Sequence, residues 1–269
     1  MIREPIVAGQ FYPGSTAALD AAVGGYLAAA GAKSVGHTIL AMVPHAGYVY
    51  SGGVTGLTLG AANLASRVVL LGPNHTGQGQ ALAVWSEGAW RTPAGEVPVD
   101  EPLAAALLAA EPRLRPDVAA HLGEHSLEVL LPFLLATVPG LRVTPIAVAE
   151  PRLEILVSVA AHMAEAIATV REPVSIVVSS DMSHYVSEAR ARELDTLALE
   201  RVAALDPEGL YRVVKSRGIS MCGVLPMTLG LYVAKLLGAT SCEIAAYGNS
   251  GEASGDYGRV VGYAGALAG

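Results

Sequence analysis

An α/β fold is what this sequence predicts: a single domain with a central mixed, partly parallel sheet flanked by helices on both faces. Three observations predict it. Short β-branched or apolar runs alternate with longer alanine- and leucine-rich runs along most of the 269 residues. That alternation suits strand–helix–strand units better than an all-β or all-helical layout. Hydrophobic residues make up 52% of the chain and charged residues 15%, enough to bury both faces of a sheet. Glycine and proline are spread evenly, with no linker, repeat or low-complexity tract, so one domain over 1–269 is the simplest organisation.

The strands expected in order are Thr38–Val43, Arg67–Leu71, Ala81–Trp85, Leu141–Ala149, Val174–Ser179, Cys242–Tyr247 and Val260–Ala264. Each is short and rich in Val, Ile, Leu or Ala. The helices expected are Thr16–Ala30, Val54–Ala65, Pro102–Ala110, Leu127–Ala136, Leu153–Val170, Ser187–Leu205, Pro207–Lys215 and Gly223–Leu237. Ser187 before Glu188 makes a helix start, because a serine oxygen accepts an orphan N–H and an acid suits the positive end. Gly31 and Gly238 stand where helices would end.

Charge and composition exclude several function classes. The formal net charge is −7 and only three lysines occur (Lys33, Lys215, Lys235), with no basic cluster. No nucleic-acid partner is expected, since phosphate binding needs such a cluster. Mean hydropathy is +0.45, but much of that is alanine. The longest apolar runs, such as Cys222–Leu237 with Pro226 and Lys235, fall short of the roughly 20 residues a membrane span needs, so no membrane partner is expected. Met1–Pro5 lacks a signal-peptide layout, which makes the cytoplasm the expected compartment. Two cysteines, Cys222 and Cys242, do not make a disulfide framework there.

Polar residues follow three of the expected strands: Pro44-His45-Ala46-Gly47-Tyr48, Gly72-Pro73-Asn74-His75-Thr76-Gly77, and Ser180-Asp181-Met182-Ser183-His184-Tyr185. Ligands of open α/β sheets bind beyond the carboxyl ends of the strands. His45, His75, Asp181 and His184 are therefore expected at one edge. His125 joins them in Gly123-Glu124-His125-Ser126-Leu127-Glu128, a stretch read equally as acid–base machinery and as a helix cap. His121, four residues earlier, would share a helical face with His125 as an alternative metal pair. His37 is expected at the surface and His162 partly buried in a helix. Cys222 precedes an apolar helix, a position that biases a thiol toward thiolate, which is both a nucleophile and a soft metal ligand. Cys242 is expected in the core. Asp181, three residues before His184, is expected either to orient that imidazole as an acid–base pair or to cap its loop.

Together these stretches resemble the Memo-like family, known in prokaryotes as AmmeMemoRadiSam system protein B. The matching residues are Arg3-Glu4-Pro5 through Ala8-Gly9-Gln10-Phe11-Tyr12-Pro13, Val43–Tyr48 with Ser51-Gly52, and Leu71–His75. They continue through Glu124–Glu128, Ser179–Tyr185, Cys222-Gly223 and Val260–Tyr263. The resemblance implies a fold similar to the class III extradiol dioxygenases. It implies metal residues His45, His75 and Cys222, with Asp181 and His184 as a nearby acid–base pair. Extradiol dioxygenases hold iron with two histidines and a carboxylate. A thiolate in the third place departs from that set and favours copper, zinc or a thiolate-bound iron.

The first expectation is a metal-dependent redox or oxygenase-like enzyme, with iron the first choice of metal and copper or zinc the alternatives. Asp181, His184 and His125 would move protons, and Tyr48 and Asn74 would line the substrate pocket. A second reading is a non-enzymatic module binding a peptide or small molecule in the same cleft, in keeping with the signalling roles associated with eukaryotic members. A third is a cysteine hydrolase or transferase with Cys222 as nucleophile. The family label also implies a pathway link to radical SAM and AMMECR-type proteins, and the apolar composition allows a homo-oligomer.

Overall fold

The computed structural model describes all residues 1–269. In chain order the elements are β1 (Ile2–Arg3), α1 (Thr16–Leu27), β2 (Leu40–Val43), α2 (Tyr48–Ala61), β3 (Arg67–Pro73), β4 (Leu82–Val84), β5 (Ala89–Thr92), β6 (Gly95–Pro98), α3 (Glu101–Ala110), β7 (Arg115–Pro116) and α4 (Ala119–Leu122). A single 3-10 turn (Glu128–Leu130) leads into α5 (Leu131–Thr137). Then come β8 (Arg142–Val148), α6 (Leu153–Ala168), β9 (Val174–Ser179), β10 (His184–Val186), α7 (Glu188–Ala203), α8 (Pro207–Arg217), α9 (Val224–Leu236), β11 (Cys242–Asn249), α10 (Gly251–Ser254) and β12 (Val260–Ala268).

The expected α/β class holds, with a mixed, largely parallel sheet. Strands β2, β9, β3 and β8 lie side by side and parallel in a nine-stranded sheet. Antiparallel β12 and β4 flank them, with β11 and β10 beyond β12 and β7 beyond β4. Every residue of β2, β3 and β9 is buried, and successive residues feed two different cores. Leu40, Met42, Val69, Leu71, Ile176 and Val178 join the core under α3, α6, α7, α8 and α9. Ala41, Val43, Val68, Leu70 and Val177 join the core under α1, α2 and α5. Strands covered on both faces read as continuous apolar runs, which is why they were legible.

Helix ends follow local chemistry. Asp100 caps α3 by accepting from Leu103 N, and its carboxylate also receives the Arg67 guanidinium. Ser187 caps α7 as expected, and Asp206 with Pro207 starts α8. Gly238 does follow the end of α9, but α1 stops at Leu27, before Gly31.

Three expectations need correction. Helix α2 starts at Tyr48, six residues before the expected Val54, and ends at Ala61. Its glycine-rich first turns look like a loop in sequence; they are helical because α1 packs almost onto the α2 backbone. A Cβ at Gly56 would lie 2.6 Å from the Tyr26 backbone. The expected helix Leu127–Ala136 divides into the 3-10 turn and α5. A second, three-stranded sheet of β1, β5 and β6 was not expected at all; its strands span only two to four residues.

Candidate metal centre

Strands β2 and β9 are neighbours in register, with Val43 opposite Ser179. Two residues beyond each lie His45 and Asp181. The Asp181 carboxylate accepts the His45 amide at 2.8 Å and so fixes the start of that loop. Strand β3, on the other side of β9, ends at Pro73, and His75 follows it at the same edge. His125 comes from the loop between α4 and the 3-10 turn. One ring nitrogen from each of His45, His75 and His125 lies within 4.8 Å of the others, so this trio is a metal-site candidate of unspecified metal. His45 is buried, His125 half-buried and His75 exposed, so the cluster opens on one side.

The hydrogen bonds decide which nitrogen two of the imidazoles present. The Ser179 hydroxyl donates its only hydrogen to the Ser126 carbonyl at 2.7 Å. Its 2.7 Å contact with His45 Nδ1 must therefore have Nδ1–H as donor, which leaves Nε2 bare. His75 Nδ1 donates to the Glu124 carboxylate at 3.0 Å, which also accepts the His75 and Ser126 amides. In the neutral ring, that Nδ1–H leaves His75 Nε2 bare. An anchored Nδ1–H with a free Nε2 is how metal-binding histidines are ordinarily oriented. His125 differs: its ring has no hydrogen bond, lies 3.6 Å from Glu124 through Nδ1, and is held by stacking on His75 and an edge contact with Phe11.

Electrostatics fit neutral ligands at the buried end. Burial pulls His45 down to about 4 and also lowers His125. The hydrogen bond to Glu124 raises His75. Burial alone would raise Glu124, but the hydrogen bonds from His75 and Ser126 outweigh it and hold the carboxyl at about 2. Cys222 borders the trio without joining its cluster of ligand atoms: its thiol donates to the unprotonated His45 Nε2 at 3.4 Å, and its Sγ accepts the Asp181 amide at 3.3 Å. Burial, then the Asp181 carboxylate, push its thiol up rather than toward the thiolate expected from the helix start.

Several expected partners are elsewhere. Asp181 and His184 form neither a hydrogen bond nor an ion pair. Asp181 holds His45, while His184, at the start of β10, is tied through its amide and Nδ1 to Ser220 in the loop before α9. Tyr48 is buried in the first turn of α2, donates to Val129 O at 2.8 Å and packs on Tyr12 and Phe133; it belongs to the core and borders a groove shared with Phe11, Tyr12 and Tyr26. Asn74 shapes its own turn, accepting from Thr76 and Gly77 and donating to Gln78 O. His121 cannot pair with His125, because α4 stops at Leu122. Its ring sits between Trp85 and Trp90. His37 is exposed and His162 half-buried, as expected; Cys242 is half-buried against the core from β11. Sequence reasoning missed Ser179 as an anchor and left Glu124 unassigned. The acid-rich stretch around Glu124 was the only signal for it.

A family model described as Memo-like protein matches residues 3–267. A MEMO1 family protein of Aquifex aeolicus is 40% identical over 267 residues, covering 99% of this chain and 98% of that protein. MEMO1 family proteins of Methanosarcina barkeri and Methanopyrus kandleri are 38% and 37% identical, each covering 98% of this chain and 98% of the relative. Among solved structures, an uncharacterized protein from Escherichia coli K12 is similar in fold, with a TM-score of 0.51 and 14% identity. That match covers 86% of this chain and 100% of the other. No helix is long and apolar enough to cross a membrane.

Proposed function

The chain belongs to the Memo-like family, and from that premise we propose a metal-dependent redox or oxygenase-like enzyme in which His45, His75 and Cys222 hold the ion and His125 moves protons beside it. The observation that carries this reading is the pair of anchored imidazoles, His45 on Ser179 and His75 on Glu124, each with a bare Nε2. Cys222 is the third donor in this reading on the strength of its distance to His45. With bonds of about 2.1 Å to nitrogen and 2.3 Å to sulfur at a near-tetrahedral angle, two ligand atoms stand roughly 3.6 Å apart. The Sγ–Nε2 separation here is 3.4 Å. Iron is the first choice through the resemblance to iron-dependent dioxygenases, while two imidazoles and a sulfur suit copper and zinc by donor softness. When bound, such an ion supplies Lewis acidity and, for iron or copper, a one-electron couple.

The chain's own residues divide the remaining work. Asp181 fixes the His45 loop through the His45 amide and leaves the ring to Ser179. His125, without an anchoring hydrogen bond, is free to take or return a proton at a ring nitrogen. Phe11 walls its far edge. The exposed flank of His75 is the side from which a small molecule or peptide group enters.

Elemental analysis of protein purified without oxygen tests the assignment. His45→Ala and His75→Ala are expected to lose bound metal, and His125→Ala to keep it. Full occupancy in the first two variants contradicts the ligand set.

A further inference from the structure

Strand β11 ends the large sheet. Its inner edge pairs with β12 from Cys242 to Asn249, with a bulge at Ala245, and no strand pairs with its outer edge. The outward amides and carbonyls between Glu243 and Gly248 have no partner elsewhere in the chain. Natural edges are ordinarily guarded by lysine, proline, inward charges or bulges, and of these β11 has only its bulge at Ala245. β11 reads Cys-Glu-Ile-Ala-Ala-Tyr-Gly-Asn, with Glu243 as its one charge. Its central side chains are half-buried, and both α2 and α7 pack against the strand.

A groove of about 340 Å³ runs between this strand and α7, lined by Ile244 and Tyr247 on one side and by Arg192, Thr196, Leu199 and Glu200 on the other. Arg192, Thr196 and Glu200 are four residues apart and exposed, so they form one stripe with opposite charges placed symmetrically about Thr196. The Tyr247 ring lies under the Arg192 guanidinium at 5.2 Å and its hydroxyl donates to Asp195. The stripe and the strand therefore run side by side.

We propose that β11 pairs with β11 of a second copy, antiparallel about a two-fold axis near Ala245–Ala246, to make a homodimer with one continuous sheet. An antiparallel edge is its own complement: each strand offers the donors and acceptors that its copy lacks. The charge pattern favours a second copy over an unrelated strand. A two-fold axis that brings Thr196 near its symmetry mate carries Arg192 of each copy toward Glu200 of the other.

Sedimentation equilibrium on the full chain tests this. The expected mass is twice the 27.5 kDa of the chain. Arg192→Glu and Glu200→Arg should each weaken dimerisation by about tenfold or more, and the two reversals together should restore it. Ile244→Lys, which supplies the missing edge guard, should give a monomer with an unchanged far-ultraviolet circular dichroism spectrum. The charge reversals sit on exposed helix positions, so they stand as the test even where Ile244→Lys does not fold. A chain that stays at 27.5 kDa at every concentration overturns the self-pairing and leaves the edge to another strand. A dimer indifferent to all these changes places its interface elsewhere.

Discussion

At the scale of single residues, the site depends on two oxygens that never touch the ion. Ser179 and Glu124 each receive an Nδ1–H and so leave Nε2 of His45 and His75 as the nitrogens available to an ion. Glu124→Gln keeps the shape but replaces an obligate acceptor with a group that can flip, so the His75 tautomer is no longer imposed. Metal affinity is expected to fall by about 10–100-fold, measured by competition with a chromogenic chelator. Unchanged affinity would show that His75 needs no anchor. These anchors were poorly legible in sequence. Glu124 lies 49 positions from His75 and Ser179 lies 134 from His45, and such pairings exist only once the strands are ordered. Asp181 and His184 show the opposite error. Three positions apart, they suggested a pair, but β10 turns through an irregular register at Tyr185, which has a left-handed φ of 59°, and His184 is led off to Ser220.

At the scale of elements, what was legible was apolar periodicity. The buried parallel strands read as unbroken Val, Leu and Ile runs, and Val174–Ser179 has the expected bounds. Short strands with mixed burial, such as β5 and β6, carry no such signal. Neither did the start of α2, where glycines that look like a loop are the seat for α1. Gly56 makes that packing measurable. A methyl there would meet the Tyr26 backbone at 2.6 Å, and backbone cannot rotate aside. Gly56→Ala is expected to cost about 1–3 kcal/mol despite alanine's better helix propensity, read from the midpoint of urea unfolding. A stabilised variant would mean that α1 is free to move off α2.

At the scale of the whole molecule, the chain is closed on itself beside the site. Arg3 is buried; it bonds Glu128 at 2.7 Å and the carbonyls of His121 and Glu124, and lies over Trp90. Glu128 in turn accepts the amides of Ile6 and Val7 and the Tyr12 hydroxyl. This network pins the first residues against the loop that bears Glu124 and His125. It also sets Phe11 against His125. Arg3→Met leaves the buried Glu128 without its cation and is expected to lose about 3–5 kcal/mol of stability. Metal affinity should fall with it, because the same loop carries Glu124. Lost stability with intact affinity would separate the clamp from the site. In the proposed centre, two anchored imidazoles and the Cys222 sulfur share one ion. Cobalt(II) loading followed by visible and near-ultraviolet absorption tests it most directly. A thiolate-to-cobalt charge-transfer band that disappears in Cys222→Ser and persists in His125→Ala is the expected result. A cobalt spectrum without that band, together with loss of binding in His125→Ala, would contradict it and give the third position to the third imidazole.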